Sequence, residues 1–307
     1  MKSLLPGIVI VVSLCAAEMP VRELTTPAVP FANSSIEVFR HGYLITFPPG
    51  TGRGTPASLS MYGFSAWAPD GNFVYQKSIE VPNSSQPVVR DMDFNVDGTA
   101  VVAAGAIGDH STFLSGLLFL ERTGQQTQFA STGSYSPGRL AIAPDGSIWT
   151  LGWQNGREDY RIVRQFSADG KELNALLPRF SFPAGLQPGS GLGTQIAVTR
   201  DRVDVVAHSG EAGFEWVELD RNGNILDRIR LGDLHIYPMR LAMTDDDRVF
   251  LSGEGGDLYE LDRAARTWKL IWQKGPMFMG IDGNDLVVEK PRSPHSAPIT
   301  LQWFKTP

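Results

Sequence analysis

The sequence is short of cysteine and of basic clusters, and each shortage excludes a class of protein. Its single cysteine, Cys15, lies near the N-terminus, so removal of the first residues would exclude disulfides, cysteine catalysis and thiolate metal sites. Lysine and arginine total 27 against 33 acidic residues, which gives a net charge of -6. Because binding to phosphate groups needs clustered basic side chains, this charge argues against a nucleic-acid-binding protein.

Long apolar runs are also scarce, and the run at residues 4–15 is too short to span a membrane. Residues 1–17 instead have the pattern of an export signal, with Lys2 before the apolar run and Ala16 and Ala17 after it. We therefore expect an exported protein, periplasmic or extracellular, without a transmembrane segment. Acylation of Cys15 in a lipoprotein is the alternative, although that signal favours a small residue where Leu14 stands.

Glycine and proline are plentiful, at 32 and 21 residues, and they separate short extended segments. Residues 139–177 contain four such segments. Two of them flank Asp145-Gly146 and two flank Asp169-Gly170. Asp-Gly between extended segments predicts a tight hairpin because both residues tolerate positive φ. The connection at residues 154–159 is longer and polar, and this meander is typical of one blade of a β-propeller.

The same unit recurs, with its first hairpin turn at residues 42, 98, 146, 202, 248 and 284. Intervals of 36 to 56 residues indicate a radial repeat. A β-sandwich is the alternative, but sandwiches do not recur as four-strand units. We predict an all-β, six-bladed β-propeller of four-stranded antiparallel blades at residues 36–307. Four inner strands share a small residue at one position, where the second blade has Asp93; the small residues are Ala141, Ala197, Ala242 and Gly280.

The sixth unit supplies only three strands, at residues 277–281, 284–290 and 299–305. An incomplete blade would leave an exposed strand edge, which invites aggregation. Residues 18–35 contain one spare extended segment, residues 21–26. We predict that this segment pairs antiparallel with residues 299–305 as the outermost strand and closes the ring.

The phrases LAIAPDGSIWTLG and LAMTDDDRVFLSG, each followed by a strand and a second turn, resemble the NHL, SMP-30 and TolB-like group of six-bladed propellers. The resemblance covers nearly all of the chain after the predicted signal and implies the same fold. That group includes lactonases, lyases, peptide-cleaving enzymes and binding modules, so the resemblance implies no single activity. The ligand set of the SMP-30-like lactonases has no alignable counterpart here.

The longer connections all fall on one face of the predicted propeller, and long loops on a rigid scaffold are where binding residues usually lie. We expect a monomer that binds a small molecule, peptide or protein on this long-loop face. Arg90, Arg139 and Arg240 stand at the start of inner strands and are candidates for clamping an anion, with Trp153 as an aromatic platform. Alternatively, the arginines bond to carbonyl groups of the previous blade or pair with aspartates.

Loop histidines and carboxylates support an alternative, a metal-assisted hydrolase or lyase at the channel mouth. The catalytic candidates are His110, His208, Glu211 and His295, and the candidate ligands of a divalent metal are His110, His208, His235 and Glu254. No HExxH-like spacing supports a ligand set, and polar residues collect in solvated loops whatever the function. A purely structural interaction module is the third alternative.

Overall fold

The computed structural model describes residues 19–27, 36–47, 63–154, 157, 159–184, 187–191, 193–210, 213–291 and 298–307. The predicted export signal, Cys15, Glu211 and His295 lie outside these residues. Within them there is no α-helix, only short 3₁₀ turns such as Asp109–Ser111 and Gly232–Leu234. Likewise, no helix in the described ranges has the length and apolarity needed to cross a membrane.

The strands form six separate four-stranded antiparallel sheets, as predicted. Blade I contains β2 (Ile36–Arg40), β3 (Tyr43–Phe47), β4 (Gly63–Trp67) and β5 (Phe73–Ser78). Blade II contains β6 (Ser84–Phe94), β7 (Ala100–Gly108), β8 (Phe113–Leu120) and β9 (Gln126–Ser131). Blade III contains β10 (Tyr135–Ile142), β11 (Ile148–Gln154), β12 (Arg161–Phe166) and β13 (Glu172–Pro178).

The remaining three sheets continue the ring. Blade IV contains β14 (Gln195–Val198), β15 (Arg202–His208), β16 (Phe214–Asp220) and β17 (Ile225–Arg230). Blade V contains β18 (Pro238–Met243), β19 (Val249–Gly253), β20 (Leu258–Asp262) and β21 (Thr267–Trp272). Blade VI contains β22 (Met277–Asp282), β23 (Asp285–Glu289), β24 (Thr300–Lys305) and β1 (Arg22–Thr25) from the opposite end of the chain.

The pairing of β1 with β24 confirms the predicted ring closure. The two strands are antiparallel, with Arg22 opposite Trp303 and Thr25 opposite Thr300. Backbone bonds of 2.8 Å from Val21 N to Trp303 O and from Thr26 N to Ile299 O extend the ladder at both ends. Leu24 packs against a buried cluster that blades VI and I share. The N-terminal strand therefore completes blade VI and seals its contact with blade I.

Apolar side chains between neighbouring sheets hold the ring together. Each of the six clusters of buried apolar residues in the described ranges joins two adjacent blades, so that all six interfaces of the ring are filled. The inner strands approach one another closely at the axis. At Gly280, for example, a Cβ atom would lie 2.5 Å from the carbonyl oxygen of Phe39 in the next blade. This crowding explains the small residues predicted for the inner strands.

Candidate functional site

A cavity of about 730 Å³ lies at the centre of the ring, between the inner strands of all six blades. We call it the central cavity. Tight turns of the first hairpins line one end of it, including residues 41–42 and 282–283, while Gln195 and Arg240 line it from the starts of their strands. Apolar inner-strand residues such as Ile196 and Met279 form much of its wall. A cavity of this size is within the range of small-molecule sites in proteins.

One histidine–aspartate pair lines the central cavity. His41 lies in the tight turn between β2 and β3 with φ of 47°, a left-handed conformation that non-glycine residues seldom adopt. Its Nδ1 lies 3.0 Å from Oδ1 of Asp93, on the inner strand of the next blade. Since both side chains line the central cavity, the turn of blade I and the inner strand of blade II jointly build this part of the wall.

The surroundings of Asp93 fix its charge. The side chain is buried, yet its oxygens accept hydrogen bonds of 2.8 Å from the backbone N–H groups of Phe94 and Ile142. Burial alone would raise the pKa of Asp93, but His41, Arg40 and the Ile142 N–H together lower it. The Asp93 carboxylate in turn raises the pKa of His41. An ionised Asp93 has no proton to donate, so we assign the shared proton to His41 Nδ1.

A second buried pair supports the first. Arg40 donates to the carbonyl oxygen of Leu140 at 2.7 Å and lies 3.5 Å from both oxygens of Asp91. Asp91 also accepts the Leu140 N–H at 2.8 Å. Burial opposes the charge of Arg40, but Asp91 and Asp93 raise its pKa. Blades I, II and III are thus tied together by charged side chains beside the central cavity.

The three arginines predicted to bind an anion all donate to backbone carbonyls. Arg90 donates to Pro137 O at 3.1 Å and Arg139 to Thr194 O at 2.7 Å, in each case on the following blade and not on the previous one. Arg240 donates to Met239 O at 3.1 Å and lines the central cavity. Burial lowers the pKa of Arg139. These bonds position the arginines, and their role in ligand binding stays a prediction.

Trp153 and Arg90 belong to one stacked group. The Arg90 guanidinium carbon lies 4.8 Å from the Trp153 ring centre and 4.9 Å from that of Phe113. Arg90 occupies a β-bulge in β6, which aims its side chain differently from those of its neighbours. Burial between these rings lowers its pKa to about 10. Arg90 therefore lies against the Trp153 ring, and the role of Trp153 as a ligand platform stays a prediction.

A second, smaller pocket of about 280 Å³ lies between blades V and VI. Arg240 and Glu254 line it together with Met239, Met277 and Phe278, and we call it the loop-face pocket. Glu254 is exposed at the connection between β19 and β20. The structure thus brings together one candidate anion-binding arginine and one candidate metal ligand. Arg240 lines both this pocket and the central cavity.

The loop histidines do not gather into a ligand set in the part of the chain that the structure describes. His110 and His235 are exposed, and His208 packs against Phe214 with ring centres 4.5 Å apart. No group of three or more histidine, cysteine, aspartate or glutamate side chains among the described residues could hold a metal ion. The metal and catalytic candidates stay predictions, two of which, Glu211 and His295, lie outside those residues.

Sequence reasoning missed His41 because it treated the residue as one more turn position. A signal was present, since blade I turns at His41-Gly42 where blades II and III turn at Asp-Gly. The second signal was Asp93, which stands where four other inner strands carry alanine or glycine. Two departures from the repeat in neighbouring blades meet in space, and together they mark the polar part of the central cavity.

The structure resembles known propellers at low sequence identity. A protein of unknown function from Dyadobacter fermentans is 13% identical, with 93% of this chain and 99% of that chain covered and a TM-score of 0.57. Virginiamycin B lyase from Staphylococcus aureus is 12% identical, with 92% and 98% covered and a TM-score of 0.49. YCF48 bound to D1 peptide is also 12% identical, with 89% and 79% covered and a TM-score of 0.46.

No protein-family model matches the sequence, and no curated protein matches it significantly. The first of the three structures supports the propeller fold, and identities this low extend no activity or ligand to this chain. The six-bladed propeller is confirmed by the sheet topology itself. The narrower resemblance to the NHL, SMP-30 and TolB-like group stays a prediction.

Proposed function

We propose that this protein is a β-propeller that binds a small molecule in its central cavity. The observation that carries the proposal is the central cavity itself, about 730 Å³ in volume and lined by all six inner strands, with the His41–Asp93 pair in its wall. Ligand sites in proteins are typically concave and largely apolar, with a few polar groups that orient the ligand. The central cavity has this composition.

The loop-face pocket supports a second location for a ligand. It is about 280 Å³ in volume, near the lower limit for a small-molecule site, and it contains Arg240 and Glu254. This location agrees with the expectation that a ligand binds on the long-loop face. Catalysis, a divalent metal, export and a monomeric state remain further proposals, and a metal-assisted hydrolase or lyase stays the alternative function.

Filling the central cavity tests the proposed function. Val198, half-buried at the end of β14, lines the cavity, and a Val198→Trp variant would occupy part of it. Val74→Trp, on the outer strand β5, adds the same side chain away from the cavity. Met277→Trp obstructs the loop-face pocket instead. Circular dichroism would establish that each variant is folded.

Thermal-shift screening of a library of small carboxylates, amines, sugars and nucleotides, followed by calorimetry, would supply the ligands for this comparison. We expect ligands that stabilise the wild type to lose that effect in Val198→Trp and to keep it in Val74→Trp. Loss of binding only in Met277→Trp would move the site to the loop-face pocket. If no compound in the library stabilises the wild type, the proposed function is contradicted.

A further inference from the structure

The charge of the central cavity is opposite in sign to that of the molecule. The chain carries a net charge of -6. Five cationic side chains, with His41 counted as imidazolium, and three carboxylates line the cavity, which leaves an excess of two positive charges. The cations are Arg22, Arg40, His41, Arg200 and Arg240, and the carboxylates are Asp93, Asp245 and Asp282. A positive cavity in an acidic protein favours an anionic ligand.

Ion pairs leave part of this positive charge for a ligand. Arg22 lies 3.8 Å from Asp282, and Arg40 pairs with Asp91, which does not line the cavity, so that the excess falls to one positive charge. Arg200, by contrast, is exposed and makes no hydrogen bond or ion pair with any residue that the structure describes. A guanidinium without a partner can form two parallel hydrogen bonds with a carboxylate.

His41 adds a directed donor. Its Nδ1 lies 3.0 Å from Oδ1 of Asp93, a hydrogen bond to the backbone of Phe94 also favours the charged ring, and the side chain is 36% exposed and lines the central cavity. The Asp93 carboxylate favours the protonated imidazolium, in which Nε2 carries a hydrogen. A charged N–H donor then faces a cavity with positive charge to spare, where a ligand oxygen is the matching acceptor.

The rest of the wall is apolar. Ile196, Leu241, Met243, Met279 and Ile281 line the central cavity around the charged groups. A ligand without apolar groups, such as a free inorganic anion, would leave these side chains in contact with water. Burial of apolar ligand surface against them contributes roughly 25 cal/mol per Å². The wall therefore matches a ligand with both a charged group and an apolar body.

We propose that the ligand of the central cavity is a small monocarboxylate with an apolar body, and that its carboxylate accepts a hydrogen bond from His41 Nε2. This inference rests on the proposed function and specifies the ligand class. Arg200 adds positive charge at the same cavity, while the apolar body lies along the inner strands. Carboxylates of this kind differ from their amides in charge and hardly at all in shape, which gives a sharp test.

The test uses 3-phenylpropionate and 3-phenylpropanamide as matched probes in isothermal titration calorimetry at about pH 6, where His41 is protonated. We expect the full-length protein to bind the carboxylate at least about tenfold more tightly than the amide. In His41→Asn this preference should disappear, because the asparagine side chain carries no charge. Asparagine also tolerates the left-handed backbone of this turn.

His235→Asn is the matched control, since His235 is exposed, has φ of 51° and does not line the central cavity. The His235→Asn variant should prefer the carboxylate probe over the amide probe to the same degree as the wild type. Equal affinity of the wild type for the two probes would overturn the carboxylate inference. If Val198→Trp then bound neither probe, the proposed function would still be supported. If neither probe binds the wild type, the inference is overturned, and the library screen decides the proposed function independently.

Discussion

At the scale of single residues, Asp91 and Asp93 are buried carboxylates with partners from a neighbouring blade, whereas buried Asp204 has a side-chain partner only in its own blade. Asp91 and Asp93 accept backbone N–H groups of blade III. Asp204 is fully buried in β15 and accepts a hydrogen bond of 2.9 Å from Trp216 Nε1, but its Oδ1 has no partner among the described residues. Burial, with Glu218 nearby, raises the pKa of Asp204 to about 8. The native protein therefore holds this group protonated at neutral pH.

Replacing Asp204 with asparagine should stabilise the protein at neutral and alkaline pH. In the unfolded chain the carboxyl ionises from about pH 4, whereas in the native state it stays protonated until about pH 8. Between these values the native state binds more protons, so wild-type stability falls as pH rises. The asparagine side chain mimics the neutral acid at every pH. Because the two pKa values differ by about four units, we expect a gain on the order of 5 kcal/mol at about pH 8 and little difference at about pH 4.

Urea denaturation of wild type and Asp204→Asn across this pH range measures the gain. Glu254→Gln, at an exposed glutamate, is the control and should follow the wild type at every pH. A pH-independent difference between Asp204→Asn and wild type would show that Asp204 does not titrate as described.

Arg90 illustrates a structural role for a residue predicted to bind a ligand. Its guanidinium lies between Phe113 and Trp153 and bonds to Pro137, so it joins blades II and III. Arg90→Lys keeps the charge but loses the planar group that stacks on both rings. We expect a loss of about 1 to 2 kcal/mol. The control is Arg200→Lys, at an exposed arginine, which should leave the melting temperature unchanged. Equal melting temperatures of Arg90→Lys and Arg200→Lys would contradict the structural role of Arg90.

At the scale of elements, the decisive contact is the β1–β24 pair, because it joins the two ends of the described chain. Residues 22–25 supply four ladder positions to blade VI, and Leu24 seals the cluster shared with blade I. Each ladder hydrogen bond contributes only about 1 kcal/mol, but removing β1 also exposes β24 and opens that cluster. The loss should therefore exceed the sum of the separate contacts.

A chain that begins at Ser34 lacks β1 and should melt at a markedly lower temperature or aggregate. A chain that begins at Met19 keeps β1 and should have the same melting temperature as the full-length protein. Differential scanning calorimetry of the three chains measures the effect. An unchanged melting temperature for the chain beginning at Ser34 would mean that β1 contributes nothing to ring stability.

The sequence predicted the elements well where local chemistry determines them. The Asp145-Gly146 and Asp169-Gly170 turns fixed blade III, because tight hairpin turns need residues that adopt positive φ. The spare segment at residues 21–26 was identified from the missing strand of blade VI, and the observed strand is residues 22–25. The long strands of blade II and the bulge at Arg90 were not predicted, since they depend on how strands pair and not on local sequence.

At the scale of the whole molecule, the six blade interfaces set the distance between the inner strands and hence the size of the central cavity. No local pattern encodes that distance, which is why the sequence directed attention to the long loops. The arrangement of charges in the cavity also depends on how the blades are placed around the ring. His41 and Asp93 are 52 residues apart and become a pair only when blades I and II are adjacent.

Crystallography with a brominated ligand tests the central claim, binding in the central cavity, most directly. Crystals of the protein grown with 3-(4-bromophenyl)propionate would show the bromine as an anomalous scattering peak. We expect that peak between the inner strands, with the carboxylate within hydrogen-bond distance of His41 Nε2. A peak only in the loop-face pocket beside Met277, or only on the outer surface, would contradict it.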